Sequence, residues 1–160
     1  MATTLTEVLN IDCSPALAFD LMADVRYITE WNAGASRCEM LTDEPIGAGT
    51  RFVTVNRGQE MTSKITTYDR PQRLEFAVQS KAMDVLATFL FSEVGSGTQL
   101  DIQFEPRPKG IMKALFPLLR PLIRRDLIKQ HLKFKTYCET RVSSPSSGAN
   151  DFGQQLSASH

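Results

Sequence analysis

Two hydrophobic periods divide this chain of 160 residues. Leu74, Phe76 and Val78 alternate with polar neighbours, and so do Leu100, Ile102 and Phe104. A two-residue period belongs to strands with one buried and one wetter face. Further on, Leu115, Leu118, Leu119, Leu122, Ile123, Leu127, His131, Phe134 and Cys138 recur at steps of three and four. That period belongs to a helix, and it predicts one long helix over Lys109–Arg141.

The remaining elements follow from local signals. Leu5, Val8 and Ile11 among polar residues predict a strand over Thr3–Asp12. Ser14-Pro15 starts a helix, with Ser14 as N-cap and Pro15 in the first turn. Leu17, Ala18, Phe19, Leu21 and Met22 form its apolar face. Asp24 caps a second short helix through Val25, Tyr27, Ile28 and Trp31, which Asn32-Ala33-Gly34 ends. Strands are predicted over Ser36–Leu41, Thr50–Arg57, Glu60–Tyr68, Arg73–Ser80, Met83–Val94 and Thr98–Glu105. The turn residues between them imply antiparallel hairpins in sequential order. Pro106 and Pro108 are expected to stop the last strand, and Pro117 and Pro121 to kink or break the long helix. Ser143–His160 is polar and reads as a disordered tail, which gives one domain over 1–141 and a tail over 142–160. The predicted class is α+β, with an antiparallel sheet curling around the long helix.

Composition narrows the class. Apolar residues make up 42% and charged residues 22%, as in ordinary soluble domains. No apolar run is long enough to span a bilayer, and no signal-peptide pattern opens the sequence. Cys13, Cys38 and Cys138 lack framework spacing and read as free thiols of a reducing, cytoplasmic compartment. With His131 and His160 as the only histidines, no metal site and no cofactor is expected. The net charge of zero conceals an asymmetry: Met1–Pro108 holds 9 basic and 15 acidic residues, Lys109–Arg141 9 basic and 2 acidic. The cations therefore gather on one helix, which gives no support to a nucleic-acid partner.

Several short blocks, in this order, resemble the START-related SRPBCC superfamily in its polyketide cyclase/dehydrase-like branch. They are Ile11 with Ser14-Pro15-Ala16, Ala18-Phe19 and Asp24; Trp31; Gly47-Ala48-Gly49-Thr50; Ile65 to Leu74 with Asp69-Arg70-Pro71; Gly97-Thr98; and Leu132-Lys133 with Glu139. The resemblance covers roughly residues 3–141. It implies a helix-grip fold, a seven-stranded antiparallel sheet wrapped around the C-terminal helix, with two short helices after the first strand. It also implies an apolar cavity between sheet and helix. Many such proteins bind lipids, sterols or polyketides, and some are cyclases or dehydratases. The family has no universal catalytic motif, so no catalytic residue carries over.

The residues expected to line that cavity are Phe76, Val78, Phe89, Phe91, Ile102, Phe104, Leu127, His131 and Phe134. His131 is the one weak catalytic candidate, as an acid/base or a ligand partner, against the commoner reading of a satisfied histidine. Asp126 and Glu139 are expected to point elsewhere. Trp31 and Phe19 line a pocket or, more often, pack short helices onto a sheet. Met61, Met83 and Met112 are plastic lining or ordinary core. Arg37, Arg51 and Arg57 are ligand anchors only if they point inward, and surface exposure is the commoner outcome. Gly47-Ala48-Gly49-Thr50 lacks the lysine and spacing of a phosphate loop and reads as a turn. Arg120, Arg124, Arg125, Lys129, Lys133 and Lys135 either solvate the helix and pair with the acidic sheet, or give weak contact with anionic membranes. The expected function is binding of a hydrophobic small molecule. A polyketide cyclase/dehydratase is the first alternative, and a membrane-peripheral or regulatory module the second. The pattern fixes no oligomeric state.

Overall fold

Tight hairpins set the architecture. Between β3 (Arg51–Asn56) and β4 (Gln59–Asp69) the turn is two residues long, Arg57 at φ 51° and Gly58 at φ 78°. Two left-handed residues match the strand twist of a close hairpin. The computed structural model describes residues 4–143. β1 (Leu5–Ile11) is followed by α1 (Pro15–Ala23), a 3-10 turn (Val25–Tyr27) and α2 (Ile28–Trp31). Then come β2 (Ala35–Met40), β3, β4, β5 (Arg73–Gln79), β6 (Met83–Val94), β7 (Gly97–Pro108) and α3 (Met112–Ser143). The sheet order is β1-β7-β6-β5-β4-β3-β2, every pair antiparallel. This is the helix-grip fold. The proposed tail lies outside the described residues beyond Ser143.

Ser14 caps α1 as its position predicts, accepting a hydrogen bond from Leu17 N at 3.2 Å, and Asp24 accepts one from Arg26 N. Gly47-Ala48-Gly49-Thr50 is a turn: Thr50 N donates to Gly47 O and Gly47 N to Thr50 Oγ1.

The structure departs from the sequence pattern at three points. First, β7 runs through Pro106 to Pro108, which pair with Val85 and Met83. On the other side β1 begins opposite Phe104, so among the described residues no strand pairs with the prolines there and their missing N–H groups break no ladder bond. Second, the inward face of β1 is Leu5, Glu7, Leu9 and Ile11, while Val8 is 58% exposed. Strand parity, not apolarity alone, decides the face. Third, α3 starts at Met112, not at Lys109, and Pro117 and Pro121 lie inside one continuous helix, so neither breaks it. The carbonyls these prolines leave without a donor belong to Lys113 and Pro117, both exposed residues, where water can satisfy them.

Candidate functional site

The concave face of the sheet is filled at one end and hollow at the other. At the filled end Phe19 of α1 is fully buried, edge-on to Tyr68 and Phe91 at 5.1 and 5.4 Å. At the other end α3 stands off the sheet and leaves a cavity of about 730 Å³. That volume lies in the range of small-molecule sites, about 300–1,000 Å³.

Alternate residues of four strands make the floor: Phe52, Thr54 and Asn56 of β3; Gln59, Met61 and Ser63 of β4; Phe76 and Val78 of β5; Met83, Val85, Ala87 and Phe89 of β6. Phe104 of β7 adds to it. Phe52, Phe76 and Phe89 stack edge to face at 6.1 and 5.9 Å, and Phe89 meets His131 in the same way at 6.2 Å. This row of rings leads along the floor to the imidazole. The roof is the stretch of α3 from Leu122 to His131. Trp31 and Asn32 close the end nearest α1, with Trp31 edge-on to Phe134 at 5.1 Å.

His131 is 6% exposed, and its Nδ1 lies 2.5 Å from Glu7 Oε2. Glu7 faces inward because it shares strand parity with Leu5 and Leu9. A carboxylate on Nδ1 fixes that nitrogen as the donor and leaves Nε2 as the acceptor in the neutral ring. Among the described residues Nε2 has no hydrogen-bond partner.

A closed ring of hydrogen bonds braces one side of the mouth. The Arg57 guanidinium pairs with Asp126 Oδ1. Gln130 Nε2 donates to Asp126 Oδ2 at 3.1 Å, and Asn32 Nδ2 to Gln130 Oε1 at 3.4 Å. Gly34 N donates to Asn32 Oδ1 at 3.0 Å, and Arg57 N to Gly34 O at 2.9 Å. Gly34 lets the chain pass close to Asn56: a Cβ there would lie 2.3 Å from Asn56 Oδ1, and that side chain would have to turn aside. The ring ties the β3–β4 hairpin to α3 and to the end of α2.

Of the nine residues expected to line the cavity, Phe76, Val78, Phe89, Phe104, Leu127 and His131 do. Phe91, Ile102 and Phe134 do not. Phe91 is spent on Phe19, Ile102 is sealed at 2% exposure, and Phe134 is fully buried beneath Trp31. Asp126 turns out to line the cavity, while Glu139 accepts a bond from Asp12 N away from it. Trp31 both lines and packs; Phe19 only packs. Met61 and Met83 line the cavity and Met112 does not. Arg57 reaches the rim, whereas Arg37 pairs with Glu39 at the surface and Arg51 is exposed. Two of the three thiols are poor nucleophiles: the hydrogen-bonded Cys13 thiol, then burial, push Cys138 up, and burial pushes Cys38 up, whereas the bond to Cys138 pulls the buried Cys13 down.

Residues 2–139 match the family described as polyketide cyclase / dehydrase and lipid transport. The chain belongs to that family. No curated protein matches it in sequence. Among solved structures, the ZhuI aromatase/cyclase from Streptomyces sp. R1128 superposes with a TM-score of 0.72 at 15% identity, covering 89% of this chain and 96% of that one. A START superfamily protein from Mycobacterium smegmatis gives 0.64 at 14% identity, with 88% and 97% covered. A truncated norcoclaurine synthase from Thalictrum flavum gives 0.67 at 14% identity, with 86% and 93% covered. At these identities the likeness is one of fold. Within the family the chain keeps a hollow grip, so its role is narrowed to holding a hydrophobic ligand or to cyclase-type chemistry on one.

Proposed function

We propose that this chain binds a hydrophobic small molecule, a lipid, polyketide or similar compound, between the sheet and α3. The observation that carries the reading is the cavity of about 730 Å³ with its ring-lined floor and polar mouth. Removing about 300 Å² of apolar ligand surface from water is worth about 7 kcal/mol before the costs of association. Thr54, Ser63, Asn56 and Gln59 supply hydrogen-bond partners on the floor, enough to orient a carbonyl or hydroxyl.

Trp31 is the only tryptophan and lines the cavity, so its emission reports occupancy. A panel of long-chain fatty acids, sterols and planar polyphenols is titrated, following Trp31 fluorescence and the melting temperature. At a hundredfold excess over Kd a bound ligand adds about 2.7 kcal/mol of stability. A panel that moves neither signal sinks the reading.

The His131–Glu7 pair favours a second reading, cyclase or dehydratase chemistry. Nε2 of an imidazole held in this way is suited to take a proton from carbon beside a carbonyl, and the cavity wall to fold a flexible chain for ring closure. The test is turnover of poly-β-keto thioesters by the wild type and by His131→Gln. Equal rates remove His131 from the chemistry. No turnover by the wild type leaves binding alone.

A further inference from the structure

The N-terminal half of α3 turns its apolar residues outward. Ile111, just before the helix, is 79% exposed, Leu115 40%, Leu118 78% and Leu122 63%. Their steps of four, three and four place them on one stripe of the helix surface. Continued by three and four, the same stripe reaches Arg125 and Lys129, which lie on the cavity rim, as Leu122 does. Between Gly110 and Arg125 the sequence has four cations, Lys113, Arg120, Arg124 and Arg125, and no acid. Lys113, Arg124, Arg125 and Lys129 are exposed and take part in no ion pair among the described residues. The first acid, Asp126, is already held by Arg57 and Gln130.

We propose that this stripe docks the protein on an anionic phospholipid surface, with the cavity mouth facing the bilayer. The apolar side chains enter the boundary between headgroups and acyl chains, and Arg125, Lys129 and their neighbours meet lipid phosphates. An amphipathic segment binds in this way through apolar burial plus attraction between cations and anionic lipid. Charge favours this occupant: a second copy would bring the same uncompensated cations face to face, at a cost. Among the described residues no helix is long and apolar enough to cross a membrane, so the contact is with its surface. The docking stands on the stripe alone. That it gives a lipid ligand a path from bilayer to cavity rests on the binding proposed above.

The test is co-sedimentation of the full chain with vesicles of phosphatidylcholine, with and without phosphatidylglycerol, at low and high salt. Ile111→Ser/Leu118→Ser and Arg125→Glu/Lys129→Glu are measured beside the wild type. Neither Ile111 nor Leu118 lines the cavity. The expected result is binding to the anionic vesicles at low salt, release at high salt, and a loss of roughly tenfold or more in each variant with the melting temperature unchanged. Failure to bind, or variants that bind like the wild type, overturns the docking. So does a solution dimer that the serine variant dissociates, since the stripe would then be a self-interface. Trp31 titration with ligand in solution reads the cavity separately. If it responds while vesicles do not bind, the docking falls and the cavity reading survives.

Discussion

The two halves of α3 have opposite relations to the sheet. In the C-terminal half Phe134 and Cys138 have no exposure at all, and Tyr137 joins Glu30 and Arg141 in a cluster that fastens the helix to α2. The Arg141 guanidinium also lies 4.8 Å from the Tyr137 ring centre and 5.5 Å from that of Tyr27. The N-terminal half is richer in leucine, yet only Phe116 is buried there. Apolar content therefore does not decide which half is gripped. What decides it is where α1, α2 and the sheet supply a surface to pack on, and past the cavity that surface takes up little more than Phe116.

The largest contrast is between equivalent truncations. Phe134→Ala removes a ring packed on Trp31 and is expected to cost about 3–5 kcal/mol in denaturant unfolding. Leu118→Ala is expected to change stability by less than about 0.5 kcal/mol, because its side chain already meets water. Similar costs at the two sites would mean that the free half is packed after all.

Between the halves sits His131. Glu7→Ala leaves the imidazole Nδ1 without its partner in a half-sealed site, at an expected cost of about 1.5–3 kcal/mol. His131→Ala/Glu7→Ala should cost less than the sum of the two single changes, because each removes the same interaction. Additive costs would show that the pair is not coupled.

The grip on the C-terminal half also depends on alkali. Burial, then the Glu30 carboxylate to which its hydroxyl donates, push the Tyr137 phenol up from the ordinary 10 to about 12. A raised folded-state value means the neutral phenol is favoured in the native state. Its contribution is complete below about pH 10 and is lost as pH rises through about 12. Melting temperature followed across that window should fall more steeply for the wild type than for Tyr137→Phe. Parallel curves would remove Tyr137 from the alkaline response.

Much of this molecule was legible in its periods. The alternation of Leu74, Phe76 and Val78 and the turn residues between strands were enough for the meander, and Ser14-Pro15 for the start of α1. The resemblance supplied the hollow. Less legible was which residues border it, because periodicity gives a face and not what lies across from it. Phe89 and Phe91 share a face of β6, yet one borders the cavity and the other meets Phe19. On β1 the apolar Val8 lies on the outer face and Glu7 on the inner one. The inward glutamate at the parity of Leu5 and Leu9 was the signal available. The charge pattern of α3 leaves both sheet pairing and anionic-membrane contact open; among the described residues only Arg141 of the helix cations pairs with an acid of another element. The rim, built from Arg57, Gly34, Asn32, Gln130 and Asp126 of distant segments, left no local pattern at all.

That rim gives a small expected effect on stability and the sharpest on the boundary between gripped and free helix. The Arg57 side chain is 66% exposed and that of Asp126 30%, so their ion pair contributes at most about 1 kcal/mol. Arg57→Ala should therefore barely shift the melting temperature. It does, however, open the hydrogen-bonded ring at its link between the β3–β4 hairpin and α3. Hydrogen exchange of the helix amides from Leu122 to Gln130 should speed up while those around Phe134 keep their protection, since the two regions open independently. If exchange rises equally at Phe134, the helix moves as one rigid rod and the division into a gripped and a free half is wrong.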